Sequence, residues 1–456
     1  NLQEAGVPEK TIDSIFKVAV PMKVVGWADT PIVKDTVLTP LDSVRYYFTM
    51  LNTGFMAMDH TNGYVKAWVG GIDFMHFKYD HNLSKRQVGS TFKPIVYAAA
   101  VEDGISPCKY FHNVEITIED WSPKNSDNKY GGYYSLTAGL TYSENVIAAQ
   151  VIEKVGIQKT IDMATKLGVT STLPREFGIS LGAAEISLFD MMKVYSTIAN
   201  NGYRTEPLAV LKIEDRYGNV IFDLEQQLED EKRVQVIDST TAYTMTRMMQ
   251  HVVIYGTANT LKSQYCKHCD FAGKTGTTQN HSDGWFIGYN PTLVTGVWVG
   301  GPSPAVRFRS MNYGRGAALA LPIVGNFWYK LSIDPKFAKL TQEEFKKNEK
   351  IIAEMNCPLR LGFSPDKYYA VMKDSTLKDS LLRTGFSGLR EMVEEMFPEE
   401  VEEPIEENSD GEGGIIEEIE VPEVKKPEPP KASEVKPVDK KKQEENALEI
   451  DEIVRR

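Results

Sequence analysis

Two short stretches near the start of the chain alternate apolar and polar positions with a period of two. Gly54-Phe-Met-Ala-Met-Asp59 and Tyr64-Val-Lys-Ala-Trp-Val69 read as strands. His60-Thr-Asn-Gly63 between them holds the Asn-Gly pair that accommodates a tight hairpin turn. The spacing then changes. Over 90–102, Phe92, Ile95, Val96, Ala99 and Ala100 recur on one helical face, with Gly104 just past the end. Pro94 is tolerated in a first helical turn, which puts Ser90 at the helix N-terminus. Helical spacing returns over 145–155, 159–167, 188–199 and 239–254. Three strand-like runs follow over 270–278, 284–289 and 293–299, the last two joined by Asn290-Pro291-Thr292, and 314–330 and 342–354 read as helical.

Strands first, helices in the middle and strands at the end is an α+β order, not the alternation of a parallel sheet. We therefore expect the early hairpin and the late strands to share one antiparallel sheet flanked by the intervening helices. Residues 1–45 read as a linker or the end of a preceding domain, 46–335 as the main domain and 336–393 as a helical C-terminal extension.

Charge changes this picture at one end only. Residues 394–456 hold 22 acidic and 9 basic residues and seven prolines, with Phe397 their one aromatic. Such a segment buries too little apolar surface to offset its ordering entropy, so we expect a disordered acidic Pro/Glu/Lys-rich tail. The rest of the chain is nearly neutral, with 41 acids and 42 bases, so the acidity says nothing about the main domain. No basic patch stands outside mixed-charge helices, which argues against nucleic-acid binding. No run reaches the ~18 apolar residues of a membrane span. Because the chain begins at Asn1 rather than Met, we read it as a piece of a longer protein whose N-terminal membrane anchor is missing here.

Four cysteines are too few for a disulfide-built fold of this length. Cys266-Lys-His-Cys269 has metal-like spacing, but a structural zinc site needs two further ligands at matching spacing, and none follows. A local disulfide, a redox pair and idle thiols all fit, with idle thiols the first expectation. Cys108 and Cys357 stand isolated.

Three short motifs carry chemistry. Ser90-Thr-Phe-Lys93 places a hydroxyl and an amine three residues apart, on one helical face. A serine hydroxyl needs a neighbouring base to become nucleophilic, and a lysine of lowered pKa serves. The spacing alone is common here, recurring at Ser14, Ser106, Ser126, Ser364, Ser375 and Ser433. What separates Ser90 is a preceding glycine, an apolar helix behind it and two companions downstream. Ser143-Glu144-Asn145 also opens a helix; its hydroxyl and amide suit a proton relay and an amide clamp, although a plain helix cap would explain Ser143 as well. Lys274-Thr275-Gly276-Thr277-Thr278 lies inside a strand. There Gly276 leaves room for a second backbone, and the flanking hydroxyls offer donors to a carboxylate.

Ser-x-x-Lys, Ser-x-Asn and Lys-Thr-Gly in that order are nearly the motif set of penicillin-binding proteins and class A β-lactamases, which has Asp where this chain has Glu144. Arg86-Gln-Val-Gly-Ser90-Thr-Phe-Lys93-Pro94, Gly273-Lys-Thr-Gly-Thr-Thr278 and Asp283-Gly-Trp-Phe-Ile-Gly-Tyr289 closely resemble the transpeptidase domain of class A penicillin-binding proteins. So do Leu181-Gly-Ala-Ala-Glu185 and Gly256-Thr-Ala258, and the resemblance spans roughly residues 53–327. It implies the penicillin-binding/β-lactamase-like fold and a D-alanyl-D-alanine transpeptidase without metal or organic cofactor. Ser90 would attack the penultimate D-Ala carbonyl with Lys93 as base. Ser143 and Lys274 would pass a proton to the leaving nitrogen, and Asn145 would hold the substrate amide. Thr275 and Thr277, beside Gly276, would bind the terminal carboxylate, and the backbone N–H groups of Ser90 and Thr277 would form the oxyanion hole. Implied partners are peptidoglycan stem peptides, β-lactams and other cell-wall synthesis proteins, at the periplasmic face of the inner membrane. The parent protein would also polymerise glycan, since class A members carry a glycosyltransferase domain.

Several rivals accompany this reading. Gly178-Ile-Ser180-Leu-Gly182 fits the nucleophile elbow of α/β-hydrolases, but 172–177 before it makes a poor strand. A D,D-carboxypeptidase or a β-lactamase shares the motif triplet and differs in which nucleophile reaches the acyl-enzyme. A non-catalytic penicillin sensor would need an adjoining signalling segment, and none is evident.

Overall fold

The computed structural model describes residues 6–27, 31–224, 234–384 and 386–397. Its described residues fall into two compact units, one ending at Tyr47 and the other beginning at Phe48. In the first, a short helix Glu9–Ile15 precedes the antiparallel hairpin Val20–Trp27 and Pro31–Leu38, and the helix Pro40–Phe48 follows. The Tyr46 hydroxyl donates to the Val25 carbonyl at 2.8 Å and fastens that helix to the hairpin. This hairpin lies in the stretch read as a linker or the end of a preceding domain. The tail from residue 398 onward lies outside the described residues; Glu394 and its neighbours close a helix, Leu389–Met396.

The second unit is built on a five-stranded antiparallel sheet in the order Ala272–Thr277, Asp283–Tyr289, Leu293–Gly300, Asn52–Asp59, Val65–Val69. The early hairpin and the late strands do share one sheet, as their patterns predict, and the fold is α+β. Asp283–Tyr289 and Leu293–Gly300 are buried at every position, so they read as continuous apolar runs rather than alternating ones. One face packs on the helix Leu188–Ala199: a Cβ on Gly296 would meet Met192 and Leu188. The other face packs on the helix Leu321–Ile333, where Phe327 lies 5.1 Å from Phe55 and the Trp328 indole N–H donates to Thr295 at 3.1 Å.

Register fixes which residues share a face. Lys274 pairs with Ile287, Ile287 with Gly296 and Gly296 with Met56. Residues opposite one another in a sheet point to the same side. Lys274 therefore faces the helical middle of the domain, on the edge strand of the sheet.

Two helical expectations need correction. The run over 314–330 breaks into Met311–Gly314, Gly316–Leu319 and Leu321–Ile333, because Pro322 must sit in a first turn. The run over 342–354 shrinks to Glu349–Glu354, because Asn348 accepts the Ile351 N–H and starts the helix late.

The C-terminal extension is helical, with Pro365–Lys373, Ser375–Thr384 and Leu389–Met396 closing over a small core of Leu361, Tyr368, Val371, Leu389 and Val393. Its short strand Arg360–Leu361 pairs with Tyr133–Ser135. A disulfide joins Cys108 to Cys357, and a second joins Cys266 to Cys269. The expectation of idle thiols is thus overturned. Folding brings two isolated cysteines within bonding distance, which no spacing along the chain could announce.

Candidate active site

The turn bearing Ser90 is fixed from several sides before any chemistry is considered. Lys85–Gln87 pairs with the short strand Glu185–Ser187. Arg86 forms a buried ion pair with Asp283 at 2.8 Å and lies over the Trp298 ring, while the Trp285 indole N–H donates to the Gln87 carbonyl. Gly89 takes a positive φ of 51°, and Gly89–Phe92 forms one 3-10 turn that continues into the helix Lys93–Glu102. Ser90 sits half-buried in that turn, just before the α-helix, and its hydroxyl forms no hydrogen bond among the described residues.

Lys93 follows one turn later and is fully buried. Its amine donates to the Ser143 carbonyl, to Asn145 Oδ1 at 2.8 Å and to Ser143 Oγ at 3.3 Å. Burial pushes the Lys93 pKa down to about 7, against the opposing pull of Glu144. Lys274 is equally buried and donates to Ser143 Oγ at 2.9 Å and to the Thr275 carbonyl at 3.0 Å. Its pKa is held well below the usual lysine range by burial first and by the Lys93 charge second. Two amines thus converge on one hydroxyl. Like charges so placed disfavour each other's protonation.

Ser143 reaches this position through a backbone φ of 64°, unusual for a residue with a side chain. It is not the cap of the helix Asn145–Val155; Glu144 occupies that position without a side-chain cap bond. Asn145 instead accepts from Lys93, donates Nδ2 to the Lys124 carbonyl, and has its backbone N–H held by Asn125 Oδ1. Asn125 carried no recognisable sequence signal.

The strand Ala272–Thr277 passes directly against the Ser90 turn. A Cβ on Gly276 would lie 2.8 Å from the Val88 carbonyl oxygen, and one on Gly89 would lie 2.5 Å from that of Thr277. Thr275 Oγ1 hydrogen bonds Thr257 Oγ1 at 2.7 Å, and Thr277 Oγ1 accepts from the Gly316 N–H at 3.0 Å. Folding therefore gathers Ser90, Lys93, Ser143, Asn145 and Lys274 through Thr277 in one place. Beside them a cleft of about 610 Å³ runs past Gln87, Gly89, Trp121, Phe177, Leu181 and Thr278.

Ser180, the rival nucleophile, is buried in the 3-10 turn Phe177–Leu181 and donates to the Phe177 carbonyl, with no strand leading into it. Cys266, His268 and Cys269 have their potential ligand atoms within 4.8 Å of one another, but the two sulfurs are bonded to each other. Among the described residues no helix is long and apolar enough to cross a membrane.

Comparison with known proteins matches residues 53–302 to the penicillin binding protein transpeptidase domain and residues 1–51 to the penicillin-binding protein middle domain. The chain is 34% identical over 283 residues to penicillin-binding protein 1A of Neisseria gonorrhoeae, covering 60% of this chain and 35% of that protein. It is 32% identical over 324 residues to penicillin-binding protein 1A of Pseudomonas aeruginosa, covering 59% and 39%. The chain thus spans little more than a third of the length of these relatives. Its fold is similar to penicillin-binding protein 1A from Haemophilus influenzae, with a TM-score of 0.58, 22% identity and coverage of 75% of this chain and 60% of that one. The PonA1 protein from Mycobacterium tuberculosis, solved in complex with penicillin V, shares the fold at a TM-score of 0.55 and 23% identity, over 73% and 90% of the two chains. More than half of the residues fall within one family, over the segment that holds every motif of the site. This chain belongs to the class A penicillin-binding proteins and carries their transpeptidase domain.

Proposed function

We propose that the domain is a D,D-transpeptidase that cross-links peptidoglycan stem peptides through an acyl-enzyme on Ser90. The observation that carries this reading is the convergence of two buried amines, Lys93 and Lys274, on the Ser143 hydroxyl beside the Ser90 turn. Lys93 Nζ takes the Ser90 hydroxyl proton as Oγ bonds to the penultimate D-Ala carbonyl carbon. The oxyanion that forms accepts from the backbone N–H groups of Ser90 and Thr277. The carbon–nitrogen bond then breaks. Ser143, with Lys274 behind it, delivers the proton to the departing D-Ala amine. An acceptor amine attacks the ester next, loses its proton to the same relay and restores the Ser90 hydroxyl.

Asn145 holds the substrate amide in this scheme. The Thr275 and Thr277 hydroxyls, spaced by Gly276, receive the terminal carboxylate. A β-lactam acylates Ser90 by the same first step, without a leaving group that departs. We place the reaction in the bacterial cell envelope, on the periplasmic face of the inner membrane. The relatives' greater length leads us to propose that the whole protein also polymerises glycan and works with other cell-wall synthesis proteins. Labelling with a fluorescent penicillin, followed by mass mapping, tests the assignment. The label is expected on the Ser90 peptide alone and is lost in Ser90→Ala; labelling that survives this substitution refutes it.

A further inference from the structure

Lys93 is a fully buried amine whose hydrogen-bond partners, the Ser143 carbonyl, Ser143 Oγ and Asn145 Oδ1, are all uncharged. A buried ammonium without a counter-charge is costly. Glu144 stands between the two residues that Lys93 binds, and among the described residues it is the one carboxylate whose field acts on Lys93. Its backbone N–H donates to the Gly139 carbonyl at 3.0 Å; its side chain is half-buried and forms no hydrogen bond among the described residues.

Three charged groups face the Glu144 carboxylate. Asp127 opposes its ionisation, while Lys93 and Arg360 favour it. The phenols of Tyr97 and Tyr134 also lie in its field, both raised mainly by burial, and Lys274 faces Lys93 from the sheet.

Arg360 arrives from far along the chain and is tied in place residue by residue. Cys357 is bonded to Cys108, the Pro358 carbonyl accepts from the Tyr110 hydroxyl at 2.7 Å, and the Leu359 carbonyl accepts from the Ser135 N–H at 3.0 Å. Arg360 itself pairs with Tyr134, and its guanidinium lies 3.8 Å from the Tyr142 ring centroid and 4.6 Å from that of Tyr134. Tyr142 directly precedes Ser143 and Glu144.

We propose that Glu144 and Arg360 are positioning residues for the acylation of Ser90. The disulfide-tied segment 357–361 brings the Arg360 cation to Glu144, and Glu144 supplies the counter-charge that Lys93 lacks among its hydrogen-bond partners. The proposal rests on the reading of Ser90 as nucleophile and Lys93 as base.

The sign of the effect follows from the charges. Burial holds the Lys93 pKa down to about 7, and Glu144 keeps it from falling further. Without that carboxylate the amine stays neutral to lower pH but is a weaker base. Removing Arg360 acts in the same direction, because the Glu144 carboxyl, already pushed up to about 7 by burial, then ionises less readily.

The test is the rate of acylation of the whole chain by a fluorescent penicillin between about pH 5 and pH 9. Glu144→Gln is expected to move the acid limb about one pH unit lower and to reduce the plateau severalfold, at an unchanged melting temperature. Arg360→Gln moves the limb less, in the same direction; Arg360→Lys restores it, and the double variant matches Glu144→Gln alone. An unmoved profile in Glu144→Gln overturns the proposal. So does an undiminished Arg360→Gln shift in the Glu144→Gln background. Should Glu144→Gln not fold, the Arg360→Gln profile decides, and no shift there overturns it. Lys93→Ala separates the proposal from its basis. Full acylation in that variant refutes the base reading, whereas lost acylation with an unmoved Glu144→Gln profile refutes this proposal alone.

Discussion

Gly182 packs so tightly on Gly89 that a Cβ added to Gly182 would lie 1.9 Å from the Gly89 carbonyl oxygen. The contact is backbone on both sides, and the Gly89 N–H donates to the Gly182 carbonyl at 3.1 Å. Gly182 also has a φ of 77°, so neither its conformation nor its surroundings admit a side chain. This contact buttresses the residue just before Ser90, which also lies against Thr277.

Gly182→Ala is therefore expected to cost about 1–3 kcal/mol in backbone strain and to displace the Ser90 turn as well. Thermal unfolding and penicillin acylation, measured together, check this. A variant that unfolds slightly early but acylates at the wild-type rate would show that the turn does not depend on Gly182.

Arg86 and Asp283 form the second brace of that turn. The Asp283 side chain is 2% exposed and also accepts from the Trp298 indole and the Ser282 hydroxyl. Removing one partner of a buried pair leaves the other charge uncompensated, at a cost of about 3–5 kcal/mol. Arg86→Ala should lower the urea midpoint accordingly. Arg86→Lys should recover little, since the guanidinium also donates to the Gly301 carbonyl and covers the Trp298 ring. Full recovery by lysine would reduce the brace to a point charge.

Lys274→Ala should slow acylation of Ser90 by two orders of magnitude or more, the effect of losing one positioned group worth ~3 kcal/mol of barrier. The fold should persist, because the strand's backbone ladder to Asp283–Tyr289 does not use the amine. Stopped-flow acylation of a variant with a normal melting temperature is the measurement. A near-wild-type rate would remove Lys274 from the reaction.

Transfer and hydrolysis part at the acyl-enzyme. A β-lactamase activates a deacylating water with a dedicated base, commonly a glutamate near the nucleophile. Glu185 is exposed and pairs through its backbone with Gln87, and Glu144 has Lys93 and Arg360 as its charge partners. A chromogenic cephalosporin should therefore give one burst of about one equivalent and then stop. Sustained turnover would move the reading to a β-lactamase.

Several local features follow the sequence closely. The helices 188–199 and 239–254 begin and end where their apolar spacing predicts, and Asn62-Gly63 turns the hairpin of Asn52–Asp59 and Val65–Val69. The Ser90, Ser143 and Lys274 motifs were legible because each depends on neighbours within one turn or one strand. Tertiary structure decided the rest. The register that aims Lys274 at Ser143, the hold of Asn125 on Asn145, and the arrival of Arg360 over the Tyr142 ring all join distant segments. So does the disulfide between Cys108 and Cys357, which spans 249 positions. Periodicity records only what a residue meets a few places along its own helix or strand. Which distant segment it meets depends on how the whole set of apolar faces is buried at once, and no local pattern carries that sum.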